Sequence, residues 1–554
     1  MISLILMMLV LPQVRSYWPL LTDWNGIRAA VAVLELLFIL SVALSSPLRL
    51  PSFGPMVRWL AWFWLLWSLL SLILSDHLAA ALMRQSELLL HLLFFYVSWC
   101  WLNLDRERPA IVLYLLFGGY ALYGFVFLYQ WHATSDPEHL DWLYGMPGFP
   151  NIRHFAIYAL PACALSLIPW IHPNLSHRAH LLLLVPLSVV LGILLWTGSR
   201  GAVVALLAST LFMLLFLLPA QRKTLYWALP SVFLGGSLFA WLYRFDSSTS
   251  GTVHLVQWGT DISTGRWSLW DDSWHALSSS PWFGTGPDGF QFIDRVRVMA
   301  TQPHNFPLQF ALDWGIPGMF ALLLLILLAG WASLSRLRQS DSDEFPIRWG
   351  ANLALISLFI LGLVDGSIYH AHSLVLIMLL LAVALQPTRG IERAAIVEGR
   401  SRVSLSFFAL LIAFPILLHG MVMQMQLLVH REYLRPVDAT EKQIPLPESW
   451  QAQLVRAFPS NLDYLGSWII SWPKERLAEK IEWSNWAHAA ARQQFRASYL
   501  YLEAQFRREN GDRPGMATCL QAARASHPDP ALLRRIDAQL APLSDLIQPS
   551  PASR

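Results

Sequence analysis

The chain has 554 residues, 55% of them hydrophobic and 14% charged, whereas typical soluble proteins are roughly a quarter charged. A net charge of +3 is too small to point to nucleic acid, and the three cysteines, Cys100, Cys163 and Cys519, make no disulfide framework or cysteine zinc site. A mean hydropathy of +0.45 and recurrent apolar runs of about 18–22 residues exclude a soluble enzyme on a single anchor and predict an all-α polytopic membrane protein.

About thirteen segments read as spans, giving 12–13 transmembrane helices: 2–14, 27–45, 57–75, 79–102, 110–131, 155–171, 181–197, 202–219, 225–243, 316–334, 350–364, 373–386 and 403–423. The first is short and stops at Leu11-Pro12, so an interfacial position is open to it, and its weak positive flank argues against a cleaved signal. The 27 tryptophans fit a chain with many membrane–water boundaries, where indoles anchor.

Lysines and arginines collect on alternate connections. Arg49, Arg58, Arg106, Arg108, Arg178, Arg222, Lys223, Arg336, Arg338, Arg348, Arg389, Arg393, Arg400 and Arg402 fall on one set, which the positive-inside rule makes cytoplasmic. The other set is poorer in basic residues: the turns after Ser75 and at 365–372 carry none, and Arg15 on its first member breaks the pattern. Three features then face outward, into the periplasm of a bacterium: a loop from His132 to His154, a long loop spanning 244–315, and a polar tail. The expected organisation is a membrane domain over 1–423 and a periplasmic helical domain over 424–554. In the tail, Arg496–Asn510 and Gly515–Ala525 carry apolar and small residues at helical spacing around Gly511-Asp512, which resembles one tetratricopeptide-type unit.

The outward arginines carry the most information, because a cation there is not needed for orientation and is usually paired or functional. Arg200 lies in the short turn Thr197-Gly198-Ser199-Arg200-Gly201, and Arg266 in Thr264-Gly265-Arg266-Trp267. Singly, each reads as a snorkelling or surface arginine; together they offer two planar forks for phosphate oxygens. His304, in Gln302-Pro303-His304-Asn305, is the candidate for chemistry, since an imidazole can accept a proton near neutral pH. Bracing a helix start is its plainer reading.

Other motifs weigh less. Gly284-Thr285-Gly286-Pro287-Asp288-Gly289 fits G-x-G-x-x-G, but no strand precedes it, so a tight turn is expected and not a dinucleotide site. Asp341-Ser342-Asp343 reads as a solvated connection. Neither Asp271, Asp272 and His275 nor His370 and His372 have a convincing third ligand, and no metal is expected. Arg84 and Glu87 are one helical turn apart and read as an internal ion pair. Asp365-Gly366 and Tyr369-His370 form an outward turn, where a carboxylate is costly without a partner.

Ser199-Arg200-Gly201, Gly265-Arg266, Pro281-Trp282-Phe283-Gly284-Thr285-Gly286, Pro303-His304-Asn305, Leu308-Gln309 and Trp314-Gly315-Ile316-Pro317-Gly318 together resemble the O-antigen ligase superfamily. That superfamily includes lipopolysaccharide O-antigen ligases, O-antigen polymerases and bacterial protein O-oligosaccharyltransferases. The resemblance is strong from Gly148 to Leu385 and weak near the N-terminus. It implies an inner-membrane enzyme whose periplasmic active site moves a glycan from an undecaprenyl-diphosphate donor to an acceptor hydroxyl, without cofactor, metal or nucleotide sugar. The acceptor would be lipid A–core, another glycan or a protein hydroxyl. Carried over by residue, Arg200 and Arg266 hold the diphosphate and His304 activates the acceptor; Arg153, Asn305, Asp365 and Tyr369 are further substrate-binding candidates. The segment Met146–His154 follows the family pattern only loosely.

A polytopic flippase or transporter of polysaccharide or lipid-linked glycan is the competing class. It would spread charge through a central cavity and need no large outward loop, whereas here the singular polar groups cluster at one face. A scaffold acting through the helical tail is a third reading, in which His304 would be dispensable.

Overall fold

The computed structural model describes residues 24–45, 54–140, 151–172, 176–245, 265–293, 301–387, 404–418, 477–490, 493–526 and 530–546, with a few isolated positions between them. Among these residues the structure is helical and has no strand. The membrane-forming helices are α1 (Trp24–Ser45), α2 (Pro55–Ile73), α3 (Leu78–Leu102), α4 (Arg108–Ala133), α5 (Ile152–Leu165, extended by the turn Ile168–Ile171), α6 (His177–Trp196), α7 (Arg200–Met213) and α8 (Pro219–Leu242). A surface helix, α9 (Arg266–Ser279), precedes α10 (Phe306–Arg338), α11 (Glu344–Gly362), α12 (Ala371–Ala384) and α13 (Ser404–Leu418). Nine described helices are long and apolar enough to cross a membrane, and α7, α12 and α13 are shorter apolar helices. The chain is an all-α polytopic membrane protein. The expected segment 2–14 lies outside the described residues.

Helix α12 is the hub. Its aliphatic run from Leu374 to Ala384 is almost wholly buried, and it packs against α3 and α11, while α11 packs in turn on α5 and α7. Fourteen residues make a rod of about 21 Å, shorter than the ~30 Å hydrocarbon core. One end of α12 therefore stops inside the membrane thickness, where its backbone must be covered by protein. On the flank, α6 and α8 approach closely through small residues: a Cβ on Gly236 would stand 3.1 Å from the backbone nitrogen of Gly192. Small residues at such crossings are the usual means of close helix packing in lipid.

At the end opposite the 363–370 turn, polar side chains satisfy carbonyls at or just past the helix ends. Arg348 bonds Pro387 O at 3.0 Å, Arg108 bonds Trp101 O at 2.8 Å, and Trp349 bonds Met213 O at 3.0 Å. Asp341 accepts the backbone N–H groups of Asp343 and Glu344 at 3.2 and 2.9 Å, so this connection caps the start of α11.

The tail holds α14 (Leu477–Ala490), α15 (Gln493–Glu509), α16 (Arg513–Ala525) and α17 (Pro530–Leu540). Successive helices pack on one another around Leu500, Ala504, Met516, Leu520 and Ile536. The two expected tail helices are present with starts two to three residues earlier than the sequence pattern placed them.

Candidate active site

Helix α10 contains the feature that organises the site. Gly315 takes φ 70° inside it, and Pro317 follows. Proline has no N–H and clashes with the carbonyl four residues back, so the carbonyls just before the kink lose helical partners. Each is taken up from elsewhere. Leu312 O accepts the N–H of Thr285 at 2.7 Å, Asp313 O the hydroxyl of Ser71 at 2.7 Å, and Trp314 O the indole N–H of Trp67 at 3.1 Å. The N–H of Ile316 donates to Pro281 O at 2.9 Å. A side chain at Gly315 would collide with the backbone of Trp282. The Pro281–Gly286 loop is thus docked into the break in α10, and Gly284 and Gly286 supply its positive-φ positions. This is the tight turn expected from the sequence.

Ahead of the kink, α10 starts at Asn305, whose side chain accepts the N–H of Leu308 at 2.9 Å and donates to Leu363 O at 3.1 Å. Those bonds clamp the helix start to the end of α11. His304, immediately before, has φ 54°; with Asp288 it is one of two described non-glycine residues in the left-handed region. Such conformations cost energy and cluster at functional sites. The backbone turns the imidazole so that Nδ1 lies 3.4 Å from Asp365 Oδ1, while Arg266 Nη2 lies 3.8 Å from Oδ2 of the same carboxylate. Trp270, one turn along α9 from Arg266, donates to Pro303 O at 3.0 Å. Arg266, His304 and Asp365 are therefore brought together from three separate parts of the chain.

Asp365 is buried while His304 and Arg266 are partly exposed. Burial by itself raises a carboxyl's pKa; the hydrogen bond and charge of His304, with the charge of Arg266 and the N–H of Gly366, outweigh that and hold Asp365 well below the usual carboxylate range. The ionised carboxylate is thereby the favoured form near neutral pH.

Arg200 and Arg153 lie at the same end. Arg200 is the first residue of α7, and a Cβ on the following Gly201 would sit 3.2 Å from Leu361 and Val364, beside the Asp365 turn. Arg153 is the second residue of α5, where Asn151 accepts its N–H at 2.8 Å. Helices α5, α7 and α9 thus each place an arginine in the first turn, with no acidic residue in that turn. A cation at the positive end of a helix dipole is unfavourable in isolation. Three of them with helix N-termini form a region suited to an anion.

Tyr369, counted from sequence among the substrate contacts, is buried. Its hydroxyl donates to Asp288, and its ring lies under the guanidinium of Arg84, 4.6 Å from the centroid. Burial and the negative charge of Asp288 push its phenol above the ordinary range, so it remains a donor. Gln302 and His154, together with His370, weighed from sequence only as a metal ligand and turn residue, complete the setting. Gln302 bonds His370 Nε2 at 3.1 Å, and the His154 ring packs 4.3 Å from His370. Burial, then the charges of His154, His372, His304 and Arg28, hold His370 well below the ordinary imidazole range. Arg28, the one basic residue of α1, and Asp288, seen only as part of a glycine turn, meet at 3.3 Å. A lone arginine in an apolar span was the available signal.

Comparison with known proteins bears on this arrangement. Residues 185–323 match the O-antigen ligase family. The resemblance read from the motifs therefore rests on a matched segment, running from within α6 through the kink of α10. It contains Arg200, Arg266, His304 and Asn305, whereas Arg153, Asp365 and Tyr369 lie beyond it. No curated protein matches the chain.

Chemically, the site pairs a partly exposed imidazole with an ionised buried carboxylate, next to cationic helix ends. Such a pair can orient one ring nitrogen and leave the other to accept a proton.

Proposed function

We propose that the protein transfers a glycan from an undecaprenyl-diphosphate donor to an acceptor hydroxyl at the periplasmic face of the bacterial inner membrane. The observation that carries this reading is the convergence of His304, Asp365 and Arg266 at the end where α5, α7 and α9 begin with arginines. The basic connections gather at the other end, which by the positive-inside rule makes the site end periplasmic. The membrane part would run to about residue 423 and the helical tail from 424 would share the periplasmic side.

In this reading Asp365 fixes His304 through Nδ1, and Nε2 takes the proton of the acceptor hydroxyl. The acceptor oxygen bonds to the anomeric carbon as the bond from that carbon to the phosphate oxygen breaks. The electron pair leaves with the lipid diphosphate, whose charge Arg200 and Arg266 meet, with Arg153 in support. Arg266 rests on Asp365 at 3.8 Å, a separation loose enough for phosphate oxygens to take over its fork. No step calls for a metal or cofactor.

Deleting the gene and probing extracts for the lipopolysaccharide ladder and for glycoprotein tests the activity and names the acceptor branch. Loss of one signal assigns lipid A–core, a glycan repeat or protein as acceptor. Retention of both, with loss of lipid movement across the membrane, would favour a flippase instead. Sidedness is tested in a cysteine-free background: a cysteine replacing exposed Trp274 should react with an impermeant thiol reagent in spheroplasts, and one replacing exposed Glu107 should not. The reverse pattern overturns the periplasmic assignment.

A further inference from the structure

Beneath the site lies a buried cluster of charged residues drawn from parts of the chain far apart in sequence. Arg84 on α3 pairs with Glu87 at 2.6 Å, and Arg28 on α1 pairs with Glu87 and with Asp288, both at 3.3 Å. All four side chains are buried, at most 10% exposed. Two positive and two negative groups balance, as a low-dielectric interior demands. Tyr369 is held from three directions. Its hydroxyl donates to Asp288, its ring lies under Arg84 and Arg28, and its carbonyl accepts from Arg84 Nη1 at 2.9 Å.

The cluster reaches both halves of the His304–Asp365 pair through hydrogen bonds and short stretches of chain. On one side, the N–H of Tyr369 donates to Gly366 O at 2.9 Å, closing the turn that begins at Asp365, whose Oδ1 also accepts the N–H of Gly366 at 2.7 Å. On the other side, Asp288 ends the loop docked into the α10 kink, and its N–H donates to Asp313 at 3.1 Å. Helix α10 runs from that kink back to His304. The hydroxyl of Tyr369 on Asp288 thus ties the inner side of the Asp365 turn to the body carrying His304, alongside the Asn305–Leu363 and Gln302–His370 bonds on its other sides.

We propose that Tyr369, anchored by Asp288, Arg28 and Arg84, is a positioning residue: its hydroxyl sets the placement of the Asp365 turn against His304. This rests on the glycan-transfer reading above and assigns Tyr369 to the enzyme's own frame, away from substrate. An unneeded charged cluster in a membrane interior is costly, and a hydrophobic packing of similar volume would serve stability equally well. What apolar packing cannot supply is a directional bond that fixes one turn to another. A small displacement of a base from its partner costs on the order of a hundredfold in rate.

The test uses purified full-length protein with lipid-linked donor. Tyr369→Phe keeps the ring and its cation contacts and deletes only the hydroxyl. We expect kcat to fall about ten- to a hundredfold, with donor KM within about twofold and the melting temperature within a few degrees. Asp288→Asn, which leaves an acceptor for the hydroxyl but alters the pairing with Arg28, should lose less. Combining it with Tyr369→Phe should cost little beyond Tyr369→Phe alone, because both act on one bond. A raised donor KM at unchanged kcat would make Tyr369 a substrate contact and overturn the proposal. So would wild-type kinetics, or a rate loss that tracks a fall in melting temperature. His304→Ala run in parallel separates the two ideas. If it transfers normally, the base assignment itself fails; if it is inactive while Tyr369→Phe is normal, only the positioning role fails.

Discussion

Two carboxylates in this molecule are each approached by one histidine and one arginine, and they are held differently. In the tail, Glu503 lies 2.9 Å from His488 Nδ1 and 2.7 Å from Arg507 Nη2, and Arg507 bonds Asp512 as well at 2.7 Å. At the candidate active site, the corresponding separations from Asp365 are 3.4 Å to His304 and 3.8 Å to Arg266. Exposure is similar in both, a carboxylate under 10% exposed beside two partly exposed bases. Residue identity therefore does not mark a site. The tail trio is drawn to full hydrogen-bond contact, whereas the trio at Asp365 is more widely spaced, as the proposed hand-over of Arg266 to phosphate oxygens would require.

The sharpest way to break that comparison is to remove each histidine. His304→Ala should lower transfer by about a hundred- to ten-thousandfold, the usual range for a general base, with lipid-linked donor still bound. His488→Ala should leave transfer unchanged. Donor binding and turnover on purified protein decide both; loss of donor binding in step with activity would make His304 a positioning group.

Removing the carboxylates should separate chemistry from stability. Asp365→Asn is expected to cut kcat on the order of a hundredfold by releasing the imidazole it orients. Glu503→Gln should leave kcat alone and destabilise the tail by about 1–2 kcal/mol, since two partly exposed cations lose a charged hydrogen-bond acceptor. Peptide-resolved thermal proteolysis would show where stability is lost. If Glu503→Gln impaired turnover, the tail would be part of the catalytic apparatus.

A smaller effect is expected for the arginines. Arg266→Lys keeps the charge and loses the planar fork, so transfer should fall on the order of tenfold at normal protein level. Arg507→Lys should be silent in the same assay. Wild-type rates for both Arg266→Lys and Arg200→Lys would remove the diphosphate role.

The mildest probe is pH, and the two regions should respond over different windows. His370 is held neutral, chiefly by burial, with its pKa well below the ordinary value. The unfolded chain takes up that proton below about pH 6.5, so the membrane region should lose stability as pH falls from there. Glu503 runs the other way. Burial would raise its pKa, but the hydrogen bonds and charges of His488 and Arg507 depress it. Its contribution is complete above an unfolded value of about 4.3 and is lost as pH falls further. At about pH 5.5, thermal melting should therefore show a weakened membrane region and an unaltered tail. A tail that weakens first would contradict the assignment.

Much of the architecture was written in composition. Runs of leucine, valine and alanine bounded by basic connections give helices of membrane length, because a backbone in lipid must bond to itself. Two of the four described tail helices, α15 and α16, followed from apolar residues at helical spacing. Among the candidate site residues, Arg200, Arg266 and His304 were legible because two cations and an imidazole gathered on one outward face, although each alone had a plainer reading. Asp365 was visible as a costly carboxylate, but its partners were not, since nothing local says that residues 266, 304 and 365 meet.

Sequence alone thus determined the helix content, the alternation of basic-rich and basic-poor connections, and which polar residues were out of place. Only the tertiary structure decided their pairing. The break at Gly315 and Pro317 frees carbonyls that local sequence cannot satisfy, and the Pro281–Gly286 loop, Ser71 and Trp67 satisfy them from a distance. Tyr369 read as a substrate-binding candidate on an outward turn, and only folding sets it under Arg84 and against Asp288. The physical reason is common to both cases. Periodicity and propensity act between near neighbours, whereas a buried donor or charge must find its partner wherever the fold brings one, and that requirement is met only in three dimensions.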